Sequence, residues 1–223
     1  MKKQLLTIAA ILSGTFLAQS QIYEETRYQL MINYKFKEKN TISFQPEMRV
    51  NYFVENTTIT LWRLVYIRQF NDKAYYSLGA NWFNNWHNYD ITGNELRAHI
   101  EAGFKDKYNK WTYSNRYRLD YRNYYAQDWN YTHSVFRMRY MINWSRDLYH
   151  NDKGQKLTLN LANEVFLNIA GTKHFNLFDQ NRLGGYLVYK LNDKIMLRTT
   201  YWWEYRGKNK YNHQLWIQLG YNI

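Results

Sequence analysis

The chain of 223 residues is basic and rich in aromatic side chains, with a net charge of +12, 19% Phe, Trp and Tyr, and a mean hydropathy of -0.72. The single proline and ten glycines exclude collagen, and the aromatic content excludes a disordered chain. The absence of cysteine excludes a disulfide framework, a Cys-based zinc or iron-sulfur site and a cysteine-linked lipid anchor.

The first twenty residues have the pattern of a secretory signal peptide. Two lysines precede an apolar stretch over Leu5–Leu17, and small residues follow where a signal peptidase cleaves. This stretch is too short to cross a bilayer as a helix, and no later segment approaches the ~18 apolar residues that a transmembrane helix needs. The sequence therefore predicts a signal peptide over residues 1–20, cleaved near Ser20/Gln21, and one mature domain over residues 21–223. Cleavage would leave a net charge of +10, because only two lysines are lost.

From residue 27 onward, apolar and polar residues alternate with a period of two over about ten to fourteen residues at a time. In the clearest segment, Leu96, Ile100 and Phe104 fall on one face and charged residues on the other. No window with helical periodicity separates the segments, so the sequence predicts an all-β antiparallel meander. Successive segments begin near Tyr28, Ile42, Ile59, Ala74, Glu95, Trp111, Ser134, Leu157, Asn181, Ile195 and His213.

Three features favour a transmembrane β-barrel over a soluble sandwich or propeller, which would also alternate. The segments are longer than strands of soluble sheets and match the ~9–11 tilted residues that cross a hydrocarbon core. The last segment alternates up to Ile223. Aromatic rings crowd the predicted strand ends, where they can lie at the level of lipid headgroups. These rings belong to Tyr34, Trp82, Trp86, Trp111, Tyr113, Trp144, Tyr201, Trp203 and Tyr205.

The strand count is about eleven. Because single-chain bacterial barrels have even strand numbers, we expect ten to twelve, with a counting error or a missed short strand near the N-terminus. Connections after odd-numbered strands are predicted to be mostly tight, and most of those after even-numbered strands to be longer. This is the outer-membrane pattern of periplasmic turns and exterior loops. The longer connections are predicted over residues 85–93, 123–132, 170–179 and 206–212.

Several ordered motifs resemble those of a known family. They are Glu95-Leu96-Arg97, Asn115-Arg116-Tyr117-Arg118, Glu164-x-Phe166-x-Asn168, the run over residues 180–185, and Tyr201-Trp202. In this order they resemble the DUF2490 family of bacterial exported proteins, over essentially the whole mature chain. The resemblance implies an outer-membrane-type barrel without an established activity, and it supplies no catalytic residues. The final Ile223 departs from the aromatic residue with which outer-membrane barrels usually end.

If the apolar face meets lipid, the polar face is the lumen, and it is dominated by Arg and Glu. The preferred register of two neighbouring strands sets Glu101 opposite Arg116, His99 opposite Arg118, Arg97 opposite Asp120 and Glu95 opposite Arg122. Farther along, Glu164 is expected opposite Arg137 or Arg139, and Arg182 opposite Glu204. The predicted lumenal cluster, a candidate ligand-binding site, comprises Glu95, Arg97, His99, Glu101, Arg116, Arg118, Asp120, Arg122, Arg137, Arg139, Glu164, Arg182 and Glu204.

Two interpretations of this cluster stay open. The Arg–carboxylate pairs would fill and stiffen a narrow barrel, or their Arg surplus would form an anion-attracting constriction. Ten to twelve strands lined by arginines and by Phe166, Tyr186, Trp202 and Trp216 should be largely filled, which excludes a wide general porin.

Enzymatic and metal sites find little support, and we predict no enzyme, no metal and no cofactor. The chain has no Gly-x-Ser-x-Gly motif, and His99, next to the strand of Ser114, faces an arginine in the preferred register. Histidines and aspartates near the longer connections lack the close spacing of a metal site. These are His87, His133, His174 and His213 with Asp90, Asp128 and Asp179. Interleaved Arg and Tyr can stack on bases, but an exported chain rarely meets nucleic acid.

The sequence thus predicts a small outer-membrane β-barrel with an Arg/Glu-lined, largely filled lumen. It would act as a narrow conduit or binding site for small anionic solutes, or as a structural component of the envelope. The expected partners are outer-membrane lipid and lipopolysaccharide, the outer-membrane assembly machinery and a small anionic solute, and no nucleic acid. The alternatives are a secreted soluble β-protein with an aromatic ligand-binding surface and, less favoured, a membrane-embedded hydrolase.

Overall fold

The structure is a computed structural model that describes residues 22–51, 57–87, 90–126, 130–172, 176–206 and 210–223. The predicted signal peptide and its cleavage point lie outside the described residues. Within the described ranges no helix is long and apolar enough to cross a membrane. The chain forms eleven strands: β1 (Ile22–Phe36), β2 (Asn40–Asn51), β3 (Thr57–Gln69), β4 (Ala74–His87), β5 (Asp90–Tyr108), β6 (Trp111–Tyr125), β7 (Tyr131–His150), β8 (Lys156–Gly171), β9 (Phe178–Lys190), β10 (Ile195–Tyr205) and β11 (Tyr211–Asn222).

These strands close into one barrel, which confirms the predicted all-β meander. Each strand pairs antiparallel with its neighbours in the chain, whereas β1 and β11 pair in parallel, from Ile22 opposite Tyr211 to Asn33 opposite Asn222. The parallel seam follows from the odd number of strands, because each hairpin reverses the chain and the eleventh strand must run in the direction of the first. The described residues thus contain eleven strands, within the expected ten to twelve, and the expectation of an even number is wrong.

The connections at the two ends of the barrel differ less in length than predicted. The predicted loop over residues 85–93 is wrong, since β4 continues to His87 and β5 begins at Asp90. Polar residues such as Asn85 still pair in the ladder, so the strands extend beyond the apolar alternation that marked their predicted ends. The other connections at that end cover residues 52–56, 126–130, 172–177 and 206–210, against 37–39, 70–73, 109–110, 151–155 and 191–194 at the opposite end.

The apolar face of every strand points outward. Ile100 and Phe104 are 52% and 53% exposed, whereas Arg118 on the neighbouring strand is 7% exposed. This distribution is the reverse of a soluble protein, in which large apolar side chains fill the interior. Each strand contributes at least one exposed apolar residue to this outer belt: Leu30, Phe44, Leu64, Leu78, Ile100, Leu119, Met138, Leu161, Leu183, Leu197 and Leu219.

The predicted placement of aromatic rings holds at some strand ends and fails at others. Trp111 begins β6 and Tyr205 ends β10. Trp82 instead lies inside β4, directly opposite Trp62, whose ring stacks on Phe44 with centroids 6.0 Å apart. The outer surface therefore carries aromatic rings within the apolar belt as well as at the strand ends.

The register of β5 against β6 differs by two residues from the predicted one. The hairpin closes at Tyr108 opposite Trp111, and Asn109 takes a left-handed conformation (φ 55°) in the two-residue turn. Asn adopts this conformation more easily than most residues. The predicted register would instead have set Lys107 directly opposite Lys110, a like-charge pair at the closing position. The turn therefore decides the register, and the lumenal charges follow it.

A disulfide tests this register, because the chain has no native cysteine. Ile100 lies directly opposite Leu119, with both side chains on the outer face. Opposite residues have Cα atoms ~4.5–5.5 Å apart, a distance that a disulfide spans. We expect the double variant Ile100→Cys/Leu119→Cys to crosslink fully on mild oxidation, as measured by mass spectrometry of the intact chain. The control is Ile100→Cys/Tyr117→Cys, a pair that would be opposite only in the predicted register; efficient crosslinking of that pair would overturn the assignment.

Candidate functional site

The inward positions of the strands concentrate arginines around one lumenal cavity of about 370 Å³. Twelve arginines line it: Arg27, Arg49, Arg63, Arg97, Arg116, Arg118, Arg122, Arg137, Arg139, Arg182, Arg198 and Arg206. Among the described residues, eight carboxylates form ion pairs with these arginines. They belong to Glu25, Glu47, Glu95, Glu101, Asp120, Glu164, Asp179 and Glu204. The described lumen therefore has more guanidinium groups than carboxylates.

Single carboxylates hold several arginines at once. Asp120 is fully buried, and its carboxylate accepts hydrogen bonds from Arg118 Nε at 2.7 Å and Arg137 Nη2 at 3.0 Å. Glu164 Oε1 accepts from Arg116 Nη2 at 2.5 Å and Arg139 Nη2 at 2.6 Å. Hydrogen bonds between ionised groups are about twice as strong as neutral ones. These two carboxylates link strands β6, β7 and β8 on the lumenal side.

Two of the pairs predicted between β5 and β6, Glu101–Arg116 and Glu95–Arg122, form without direct opposition. The predicted facing of Arg97 and Asp120 is wrong, since Asp120 lies opposite His99. Arg116 Nε lies 3.6 Å from Glu101 Oε2, although Glu101 is opposite Arg118. Arg97 lies opposite Arg122, the kind of like-charge facing that the prediction had avoided, and both bind Glu95, at 2.8 and 2.6 Å. An Arg side chain is long enough to reach the position two residues along a strand, ~7 Å away. Direct opposition is therefore not needed for pairing.

For three other predicted pairings, we compare the residue expected directly opposite with the residue that is opposite in the structure. His99 faces Asp120 instead of the predicted arginine, and its Nδ1 lies 3.2 Å from Asn81 Nδ2. Glu164 faces Met141 rather than an arginine of β7. The pairing of Arg182 with Glu204 is confirmed, since the two are directly opposite and ion-paired.

All thirteen predicted cluster residues are on lumenal strand positions, in two shells. Eight of them line the cavity: Arg97, Arg116, Arg118, Arg122, Arg137, Arg139, Glu164 and Arg182. The other five, Glu95, His99, Glu101, Asp120 and Glu204, are not among the lining residues of the cavity, and four of them hold the lining arginines in place.

Sequence reasoning missed the part of the site that comes from β1, β2, β3 and β10. Arg27, Arg49, Arg63 and Arg198 also line the cavity. Each occupies the lumenal parity of its strand, so the period-two pattern could have found them. The pattern does not show how the barrel closes, and it is closure that places strands β1, β2, β3 and β10 around the same cavity as strands β6–β9.

Several donors of lining residues are buried without a hydrogen-bond partner in the described part of the chain. Arg198 has no carboxylate partner there, and its guanidinium lies over the Tyr186 ring at 5.1 Å. An unpaired buried donor costs ~1–3 kcal/mol, which an acceptor placed beside it would recover. These donor atoms are Arg118 Nη2, Arg198 Nε, Trp202 Nε1, Gln180 Nε2 and the hydroxyl of Thr200. Arg116 Nε has no hydrogen bond either, but it lies 3.6 Å from Glu101 Oε2.

Aromatic rings lie against the guanidinium groups of several arginines that line the cavity. The guanidinium carbons of Arg139, Arg182 and Arg137 lie 4.5, 4.8 and 5.1 Å from the centroid of Phe166. Phe166 is 1% exposed, and Trp202 and Trp216 line the same cavity. Cation–π contact of this kind stabilises a cation while leaving its N–H edges free for an acceptor. The predicted aromatic side chains thus fill part of the lumen, and the cavity is the space that they leave open.

Most of the described lysines lie at one end of the barrel, away from the lumenal arginines. Eleven of the described lysines lie at the end of the barrel formed by the turns after β1, β3, β5, β7 and β9, near six acidic residues. At the opposite end the described residues include one lysine, Lys210. A positive rim raises the local concentration of anions near one entrance of the lumen. The lysines are Lys35, Lys37, Lys39, Lys73, Lys105, Lys107, Lys110, Lys153, Lys156, Lys190 and Lys194.

The structure also locates described serine, histidine and aspartate residues that were considered for catalysis or metal binding. Asp120 lies directly opposite His99 in the ladder, and Ser114 is six residues from Asp120 along β6. The serine and the histidine are therefore ~20 Å apart. His133 stacks on Tyr124, with ring centroids 4.2 Å apart. Of the predicted rim residues, His174 and Asp128 lie outside the described residues. Within the described ranges no group of three His, Asp or Glu residues could hold a metal ion.

Fold and lumen together define the chain as a closed β-barrel with an apolar outer face and an ion-paired, arginine-rich interior. The family model described as "Protein of unknown function (DUF2490)" matches residues 26–215, and the chain belongs to this family. The match begins within β1 and ends within β11, so it includes all or part of every strand. No curated protein matches the chain.

The shared carboxylates should dominate the stability of the lumen. Glu164→Gln leaves Arg116 and Arg139 buried without their common anion, and we expect it to lower the free energy of unfolding by about 3–5 kcal/mol. The matched control is Asp147→Asn, which breaks an exposed pair with Lys156 (2.8 Å) and should cost at most about 1 kcal/mol. Chemical denaturation of refolded protein measures both. Equal small losses would show that the lumenal pairs are not coupled.

Proposed function

We propose that this protein is an outer-membrane β-barrel that binds small anionic solutes in its arginine-lined lumen. In a more specific form of this proposal, the lumen is also a narrow conduit through which these solutes pass. The observation that carries the proposal is the cavity of about 370 Å³ lined by twelve arginines, only partly neutralised by the eight carboxylates paired with them in the described lumen. A lumen built only for stiffness would need no surplus of charge, since uncompensated buried cations are unfavourable.

The chemistry of the unpaired groups supports an anion rather than a cation or a neutral ligand. The unpaired atoms of Arg118, Arg198 and Trp202 are N–H donors without an acceptor function. Arginine presents its donors in a planar fork that matches carboxylate and phosphate oxygens. A small oxyanion in the cavity would both neutralise surplus charge and satisfy these donors.

The outer surface supports placement in a membrane. The apolar belt runs around all eleven strands, and the strands are 11 to 20 residues long, enough to cross a hydrocarbon core when tilted. The alternative of a secreted soluble protein would leave this belt in water, which monomeric soluble proteins avoid. The closed ladder leaves no sheet edge within the bilayer.

Anion binding tests the proposed function. We expect pyrophosphate to bind the refolded barrel in non-ionic detergent at low ionic strength, with an affinity that falls as salt rises. Arg198→Gln removes a cavity arginine that has no carboxylate partner in the described lumen, and should weaken binding about tenfold or more. Isothermal titration calorimetry gives both affinities.

Arg146→Gln is the matched control, because Arg146 is an exposed arginine of β7 outside the cavity. Its affinity for pyrophosphate should stay within about twofold of the native protein. The absence of binding at low salt, or equal losses in both variants, would contradict the proposal. Recording in planar bilayers then separates a conduit, with anion-selective current, from a closed binding site.

Membrane placement is tested on the outer face of β5. Ile100→Lys, in the middle of the apolar belt, should lower the free energy of unfolding in lipid vesicles by about 2–4 kcal/mol, whereas Tyr108→Lys at the strand end should cost about 0–1 kcal/mol. The difference arises because a charge is costly only at depth in the hydrocarbon. A small, equal effect at both positions, or a monodisperse monomer without detergent, would argue against a membrane.

A further inference from the structure

Strand β10 presents a row of polar side chains to the cavity. Side chains alternate along a strand, so Arg198, Thr200 and Trp202 face the same side, with ~7 Å of strand from one to the next. All three line the cavity, and each has a buried donor without a hydrogen-bond partner among the described residues: Arg198 Nε, the Thr200 hydroxyl and Trp202 Nε1. Buried donors normally have partners, so three successive unpaired donors on one strand indicate a ligand site.

Across the ladder, Arg198 lies directly opposite Gln218 of β11, and the two side chains turn away from each other. The Arg198 guanidinium lies over the ring of Tyr186 on β9, 5.1 Å from its centroid. Gln218 turns the other way and donates a hydrogen bond to Gln29 on β1. Arg198 Nε and Gln218 Oε1 therefore do not satisfy each other, although both side chains line the cavity.

The orientation of the Gln218 amide is fixed by a chain of hydrogen bonds. Gln29 Nε2 donates to the Glu47 carboxylate at 3.1 Å, and an ionised carboxylate can only accept. Gln29 must then present its oxygen to Gln218, which meets it with Nε2. The Gln218 oxygen is left without a partner in the described part of the chain. Beside the unpaired donors of β10, the cavity thus has an unpaired acceptor, which only a ligand with a donor of its own satisfies.

Two indole rings bound the middle of the row. Trp202 lies directly opposite Gly184 of β9, where a Cβ would approach Trp202 Cε3 to 2.9 Å and the Tyr201 carbonyl oxygen to 2.1 Å. Glycine therefore lets the indole lie against β9. Trp216 is directly opposite Thr200 on β11, and its ring centroid is 6.3 Å from that of Trp202. The Thr200 hydroxyl thus lies at a level that also offers apolar ring surface, a combination that suits carbon atoms bearing hydroxyl groups.

We propose that Arg198, Thr200, Trp202 and Gln218 form a subsite, the β10 subsite, for the phosphate ester of a small polyol or sugar. This inference rests on the proposed function and names the ligand class of the same lumen. The phosphate binds Arg198. The hydroxyl groups of the ligand accept hydrogen bonds from Thr200 and Trp202 and donate one to Gln218.

A phosphate group suits the charge of the site. Arg198 forms no ion pair with a carboxylate in the described lumen, and its planar fork matches phosphate oxygens. Twelve arginines line the cavity against eight paired carboxylates, so a phosphate dianion removes more of the surplus charge than a single carboxylate would.

Hydroxyl groups suit the remaining atoms of the subsite. A hydroxyl both donates and accepts, so one type of ligand group can satisfy the Trp202 donor, the Gln218 acceptor and the Thr200 hydroxyl. Positions 198 and 202 are ~14 Å apart along the strand, which leaves room for a short carbon chain beyond the phosphate.

The matched probes are sn-glycerol 3-phosphate and propyl phosphate, because both are three-carbon phosphate monoesters and only the first has hydroxyl groups. A site built to hydrogen-bond ligand hydroxyls rejects the analogue that lacks them. We expect glycerol 3-phosphate to bind the refolded barrel about tenfold tighter than propyl phosphate, in non-ionic detergent at low ionic strength, as measured by isothermal titration calorimetry. Equal affinities would overturn the β10 subsite.

Two variants test the location of the hydroxyl contacts. Thr200→Val removes the hydroxyl with little change of shape, and Gln218→Met removes the acceptor. Each should weaken glycerol 3-phosphate binding about fivefold and leave propyl phosphate binding within about twofold, which also shows that the variant is folded. The control is Thr199→Val, on the exposed outer face of the same strand, which should change neither affinity. A preference for glycerol 3-phosphate that survives both lumenal variants would show that the hydroxyls bind elsewhere, and would overturn the assignment.

Pyrophosphate titrated into the same samples separates this inference from the proposed function. If pyrophosphate binds but glycerol 3-phosphate binds no tighter than propyl phosphate, the β10 subsite is overturned and the anion-binding lumen stands. If pyrophosphate and both phosphate esters all fail to bind, both proposals fail.

Discussion

The closed hydrogen-bond ladder is the constraint on which the rest of this structure depends. Because side chains alternate along a strand and the sheet closes on itself, the side chains outside the bulges are assigned to the outer face or to the lumen. Apolar residues take the outer face, and arginines and carboxylates are forced into a narrow interior. There they are stable only as a network, and Asp120 and Glu164 show how: each carboxylate holds arginines from more than one strand. The wall thus creates the charged lumen, and the charged lumen in turn links neighbouring strands.

The network is unevenly compensated, and the imbalance gives the lumen its proposed chemistry. Arginines around Asp120 and Glu164 are tightly paired, whereas Arg198 lies over Tyr186 without a carboxylate partner in the described lumen. The wall is uneven as well. An odd number of strands requires a parallel seam, and Pro46 on β2 lacks a backbone N–H that could donate to the ladder with β1.

Much of the fold was predictable from the sequence, and the failures have identifiable causes. Alternation around Ile100 and Phe104 predicted which face is outside, because period two maps directly onto the two faces of a strand. Strand ends were predicted too early where polar residues such as Asn85 continue the ladder, since hydrogen bonding depends on the backbone and not on side-chain polarity. The register of β5 against β6 was wrong by two residues, because the left-handed conformation of Asn109 fixes the turn. Arginines such as Arg116 still pair with the predicted carboxylates in the observed register, because a guanidinium reaches a position two residues along the strand.

The sequence by itself determined the class of the fold, the face on which most side chains lie and the family to which the chain belongs, because these depend on local alternation and on ordered motifs. Only the tertiary structure decided how the barrel closes, since the parallel pairing of β1 with β11 joins residues nearly two hundred positions apart. Closure also decided that Arg27, Arg63 and Arg198 share one cavity with the predicted cluster. Proximity across a barrel depends on the circumference and register of the whole sheet and not on any one segment.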